Sequence, residues 1–203
     1  LIIPANTLAS GGFSVDNSVR MNDGSSDYLS KTFGSGNRKT STWSGWIKRG
    51  SLGGTQTLIT QIDAWSGNSN AGFYIVSDQI TAYNFSSSLN SGVNSRLTPS
   101  MLFRDTSAWY HIVMRLDTTQ STEANRLRFY INGELQSSFT NSNYPTLNQD
   151  CNFNTGVAHG IGSHTNGANY FDGYMAEVVF CDGQSLAPTS FGEFDEDSGI
   201  WKP

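Results

Sequence analysis

Charge is scarce in this chain. Only 14% of its 203 residues are Asp, Glu, Lys or Arg, and 12 basic residues face 17 acidic ones, for a net charge of −5. A nucleic-acid surface needs clustered Lys and Arg to displace counterions from phosphates, so scattered and outnumbered basic residues argue against DNA, RNA and anionic membranes as partners. Long apolar runs are missing: none approaches the roughly 20 residues of a membrane span. "LIIPA" at the start is too short for the apolar region of a signal peptide and has no basic flank. Leu1 in place of an initiator Met implies a chain processed or trimmed at its start. Cysteine is limited to Cys151 and Cys181, with no C-x-x-C pair. They read as two half-buried thiols, since a bridge between them would need an oxidising compartment. Three His, none at ligand spacing from a Cys, argue against zinc. No segment sustains a helical period.

In place of charge the chain carries Ser, Thr, Asn, Gln and 21 Gly, and 12% of it is aromatic, enough to anchor a core. Apolar residues recur with a period of two. Tyr110, Ile112, Met114 and Leu116 alternate with Trp109, His111, Val113 and Arg115, which predicts a strand with one core face. Leu127, Phe129 and Ile131 repeat the pattern, and Asn132-Gly133 then predicts a two-residue type I′ hairpin into "ELQSSF". "TSTWSGWIKRG" places Trp43, Gly45 and Ile47 on one face and Ser44, Trp46 and Lys48 on the other. "GFYIVS", "QITAYNF", "HGIGSH" and "YMAEVVFCD" are further strands, with Asp-Gly turn signals at 23, 172 and 182. "APTSFGEF" predicts one helical turn with Pro188 at its first position. Many short strands and almost no helix predict an all-β, antiparallel two-sheet jelly-roll sandwich.

These stretches resemble a known family. "STWSGWIKR", "WYHIVMRLD…RLRFYINGEL" and "FDGYMAEVVFCDGQSLAPTSFGEF" are similar to the laminin G-like, concanavalin A-like jelly-roll superfamily. The signposts fall at Trp46, at Trp109 to His111, at Asn132-Gly133 and at Gly173 to Val178, and the likeness covers residues 13–195. It implies one laminin G-like domain over 1–203, with 1–12 as an N-terminal arm and 196–203 as a C-terminal tail of a kind that continues in longer polypeptides. The segments "IPANTLASGGFSVDNSVRMNDGSSDYLSKTFGSGNRKTSTWSGWIKR" and "DGQSLAPTSFGEFDEDSGIWKP" resemble modules of tailed-bacteriophage structural proteins. That likeness implies a virion protein of fibre, tail or capsid surface. It further implies a homo-oligomer, as trimer or ring, with other virion proteins and a cell-surface glycan as partners. Calcium is common in the superfamily, but no Asp cluster marks a site, so neither a metal ligand nor another cofactor is assigned.

Some members of this fold are glucanases, which carry alternating carboxylates on a central strand. "EFDED" places Glu193, Asp195 and Asp197 at that period, but beside a turn near the C-terminal edge, and it reads as a solvated acidic turn. There is no G-x-S-x-G elbow, and His111 has no triad neighbour, so no catalytic residue is assigned. Two loops have the composition of sugar sites, where aromatic faces cover C–H patches and amides meet hydroxyls. "DAWSGNSNAG" contributes Asp63, Trp65, Asn68 and Asn70, while "SHTNGANYFDG" contributes His164, Asn166, Asn169 and Tyr170. Trp46, Lys48 and Tyr130, on the sheet face opposite the core, offer a groove for a ligand or a subunit. The leading reading is a non-catalytic virion adhesion or assembly module. A decoration or cement module without ligand, and a glycan-cleaving enzyme of the same fold, are the alternatives.

Overall fold

The computed structural model describes residues 15, 17–62, 71–83, 95–164 and 167–203. In chain order the strands are β1 (Val19–Met21), β2 (Leu29–Thr32), β3 (Thr40–Arg49), β4 (Thr55–Ile62), β5 (Gly72–Val76), β6 (Gln79–Tyr83) and β7 (Arg96–Pro99). They continue as β8 (Tyr110–Asp117), β9 (Leu127–Ile131), β10 (Glu134–Leu135), β11 (Phe139–Asn143), β12 (Ala158–Ile161), β13 (Gly173–Asp182), β14 (Glu193–Phe194) and β15 (Trp201–Lys202). Three short 3-10 turns are the helical structure among the described residues, and one of them, Pro188–Ser190, holds the expected Pro188.

Two antiparallel sheets form the sandwich. One runs β1-β13-β3-β8-β9-β10 and the other β11-β7-β6-β5-β4-β12-β2, while β14 and β15 pair as a separate hairpin. The all-β, two-sheet expectation is met. Its physical cause is the alternation itself: Ile112, Met114, Leu116, Leu127, Phe129 and Ile131 all enter one buried cluster, joined by Trp43 and Ile47 from β3. The sheets are clasped by aromatic contacts. Phe73 of the seven-stranded sheet meets Phe129 edge-on at 6.3 Å and Trp43 at 5.9 Å. Full burial of such side chains stabilises by about 1.5–3 kcal/mol each.

The Asn132-Gly133 turn joins β9 to β10 as expected, with Ile131 opposite Glu134 and positive φ at both turn residues (49° and 80°). Gly133 has a second constraint, because a Cβ there would sit 2.3 Å from the Trp201 ring. Within the segment 196–203, Trp201 and Lys202 pair with Phe194 and Glu193. The segment folds back so that Trp201, buried, packs on Trp46 and Ala176. Strand β13 carries a bulge between Ala176 and Val179, where Glu177 takes φ 48°. Cys151, buried, and Cys181, half-buried, are both free thiols.

Candidate functional site

Of the residues expected in sugar-binding loops, Asp63, Trp65, Asn68, Asn70 and Asn166 lie outside the described residues. The remaining three separate. His164 is buried, its ring 5.8 Å from that of Tyr74, and its carbonyl accepts the Gly167 amide at 3.1 Å. Asn169 is exposed with φ 54°, and its carbonyl accepts the Thr57 amide at 2.9 Å, which ties the loop to β4. Tyr170 is half-buried, 6.3 Å from Tyr28. The side chains of Asn169 and Tyr170 border one cleft that His164 does not line.

That cleft, about 470 Å³, lies between Asn169 and Tyr170, the β3–β4 connection and the 3-10 turn Asp23–Ser25. The connection reverses through Gly53 and Gly54, at φ 73° and 63°, a region open to glycine at no steric cost. It is held from below by Asp78, whose Oδ1 accepts from the Gly53 amide and from Arg49 Nη1, both at 2.9 Å. These hydrogen bonds, the Gly53 amide first, hold the Asp78 carboxyl down at about 2. Gln56 lines the cleft while 5% exposed. Its Nε2 donates to Ser51 Oγ at 2.8 Å, and its Oε1 is buried with no hydrogen-bond partner. Asp23 entered the sequence analysis only as part of a turn signal and the 51–56 segment not at all, although "GSLGGTQ" between two strands is itself a turn signal.

A second recess opens on the outer face of the six-stranded sheet, where Trp46 was expected. The C-terminal hairpin lies across this face. His111 stacks on Trp46 (4.8 Å, 27°) and on Trp201 (5.8 Å, 18°). Trp201 Nε1 lies 2.8 Å from His111 Nδ1, and Ser44 Oγ lies 2.9 Å from His111 Nε2. An indole N–H only donates, so Nδ1 is the acceptor and the imidazole proton sits on Nε2, donated to Ser44. A histidine in that tautomer cannot take the proton of Ser44, and burial pushes its pKa down to about 4. The Ser44–His111–Trp201 chain of hydrogen bonds links β3, β8 and the C-terminal hairpin. Beside it, Trp46, Trp109 and Trp201 border a cleft of about 380 Å³ with Asn17, Ser18 and Lys202. Trp109 is 37% exposed, while Trp46 is 9% exposed with its Nε1 buried and unpartnered. Tyr130 and Lys48 do not line it. Sequence alternation places Trp109 on this face, but nothing in it announces Trp201.

The acidic segment closes the same hairpin. Asp195 Oδ1 accepts from the Ser198 amide and hydroxyl, both at 2.9 Å, and its Oδ2 meets Lys202 Nζ at 3.1 Å. Those bonds, the Ser198 amide first, hold its carboxyl at about 2. A carboxyl kept ionised and occupied in this way does not serve as a general acid. Lys202 also reaches Glu193 at 3.3 Å, so its charge is matched within the hairpin. Among the described residues no three His, Cys, Asp or Glu side chains gather to hold a metal ion, and no helix is long and apolar enough to cross a membrane.

Comparison with known proteins gives a family match and distant folds. Residues 23–187 match a laminin G family model described as the concanavalin A-like lectin/glucanases superfamily. No curated protein matches significantly. Among solved structures, the chain resembles the CBM40 of the Ruminococcus gnavus IT-sialidase bound to α2,3-sialyllactose, at 16% identity and TM-score 0.52, over 80% of this chain and 95% of that one. It resembles the binding domain of Paraclostridial Mosquitocidal Protein 1 at 12% identity and TM-score 0.59, over 87% of this chain and 42% of that one. Domains LG4-5 of the mouse laminin α1 chain align at 11% identity and TM-score 0.50, over 78% and 40%. At such identities these structures speak for the fold.

Proposed function

The chain belongs to the concanavalin A-like lectin/glucanases superfamily, and from that premise we propose that it is a non-catalytic glycan-binding module of a phage virion surface. The observation that carries the glycan reading is the cleft between Trp46, Trp109 and Trp201. Indole faces cover the apolar C–H patches of a sugar ring, and the unpartnered Trp46 Nε1 offers a hydrogen bond to a ring or hydroxyl oxygen. Asn17 and Ser18 at the rim match neighbouring hydroxyls. Lys202 is ion-paired with Glu193 and Asp195, so among the described residues the cleft holds no free cation, which favours neutral sugars. The CBM40 and binding-domain structures with the same fold support a binding role. The non-catalytic reading is supported by the tautomer of His111 and by the occupied Asp195.

The virion placement rests on the phage-like segments at the two ends of the sequence, with 1–203 as one module and 1–12 as its arm. Assembly into a trimer or ring would use an edge such as β2, which is exposed along its length and carries Leu29 at 50% exposure beside Tyr28 at 50%. Titration against a panel of neutral oligosaccharides, followed by tryptophan fluorescence, tests the binding role. Trp109→Ala should weaken binding by about tenfold, the size of one lost aromatic contact. Trp46→Phe, which keeps the ring and deletes the donor, should weaken it less. A panel with no binder at all leaves the decoration or cement module standing in its place.

A further inference from the structure

We propose that the cleft bordered by Asp23 and Gln56 is a second ligand site, selective for sugars that bear a protonated amine and closed to acidic sugars. Two unmet acceptors carry the proposal. Gln56 Oε1 is buried in the cleft wall without a partner. The amide cannot resolve this by turning over, because its Nε2 also lies 3.4 Å from the Ser51 carbonyl oxygen, and reversal would set two acceptors against each other. Leaving such an acceptor desolvated costs free energy that a ligand donor would return. The second acceptor is the Asp23 carboxylate. It is exposed at the cleft rim and makes no hydrogen bond or ion pair among the described residues.

The sign of the site follows. Among the described residues no Lys, Arg or His borders the cleft, and Asp23 is the one charged side chain that does. A sugar carboxylate would face Asp23 with no counter-charge, whereas an ammonium gains an ion pair and its remaining donors suit Gln56 Oε1 and the Asn169 side-chain carbonyl. Tyr170 borders the cleft as an aromatic neighbour for the sugar body, and the Gly53-Gly54 backbone lets a ligand approach without a side chain in the way. The choice of a sugar as the ligand body rests on the glycan-binding reading above, but the charge preference rests on these residues alone.

The test uses oligosaccharides of glucosamine, N-acetylglucosamine and glucuronic acid of equal length, titrated calorimetrically into the whole chain. The glucosamine series should bind at this cleft, more weakly as salt rises, and the glucuronic series should not. Asp23→Asn should reduce glucosamine affinity by about fivefold, the range of an exposed ion pair. Asp23→Lys should abolish it and admit the glucuronic series. Because Asp23 holds its turn through its backbone carbonyl, which accepts the Ser26 amide, and not through its carboxylate, both variants should fold, and unchanged circular dichroism checks that. Asp150→Asn removes the same charge at a residue that does not border this cleft and should change nothing, which separates a site from the pull of an acidic chain. Equal losses in the Asp23→Asn and Asp150→Asn variants, or binding of the glucuronic series by the native chain, would overturn the proposal. Trp109→Ala distinguishes the two clefts. Weaker neutral-sugar binding with unchanged glucosamine binding in this variant supports both readings, neutral-sugar binding absent from the native chain while glucosamine binds sinks the aromatic-cleft reading alone, and glucosamine binding lost in the variant sinks this one.

Discussion

Acid should loosen the C-terminal hairpin through one buried imidazole. His111 is 1% exposed, and burial holds its pKa at about 4 instead of 6.5. Its folded-state pKa lies below the unfolded one, so between those values the unfolded chain binds the extra proton. The stability that His111 contributes is therefore fully present above about pH 6.5 and is lost as pH falls toward 4, below which the loss levels off. A pKa held at about 4 rather than 6.5 is worth about 3 kcal/mol across that window. The atoms explain the cost: a proton added at Nδ1 would point at the Trp201 indole N–H, turning an acceptor into a second donor. Urea unfolding at a series of pH values measures it, with His111→Gln as the reference. Glutamine can still accept from Trp201 and donate to Ser44 but does not titrate. The difference in unfolding free energy between native and variant should be flat above pH 7 and shift by about 3 kcal/mol by pH 4. Tryptophan emission should move with it as Trp201 leaves the sheet. A difference that stays constant over this range would refute both the burial argument and the tautomer.

Two further outcomes test the sandwich itself. Phe129→Ala removes a fully buried ring that contacts Phe73 across the sheets and should cost about 3–5 kcal/mol in chemical denaturation; a loss below about 1 kcal/mol would place β9 at the periphery. Gly133→Ala meets both a left-handed φ of 80° and the Trp201 ring at 2.3 Å, so beyond the roughly 1–2 kcal/mol of backbone strain it should shift Trp201 fluorescence, whereas Asn132→Gly, which relieves the other positive φ, should leave that signal in place.

Much of the scaffold follows from the sequence alone, because a strand's period of two writes its core face directly into the chain. Tyr110, Ile112, Met114, Leu127, Phe129 and Ile131 alternate, and they are the residues that meet in the core. Asn132-Gly133 specifies its turn for the same local reason: few other pairs take two positive φ values in succession. Strand β4 was harder to read, since Thr and Gln occupy five of its eight positions, and β7 is four residues with Leu97 as its one aliphatic side chain besides proline. The recesses belong to the tertiary structure. Asp23, Gln56, Asn169 and Tyr170 come from three separate segments, and only the packing of those segments brings them to one cleft. Gln56 gave no signal, because an orphaned carbonyl is a property of its surroundings and not of its residue type. Trp201 meets His111 across ninety positions of chain. Local pattern decides which way a side chain points on its own strand, and only the closed fold decides which distant side chain, or which absence of one, it finds there.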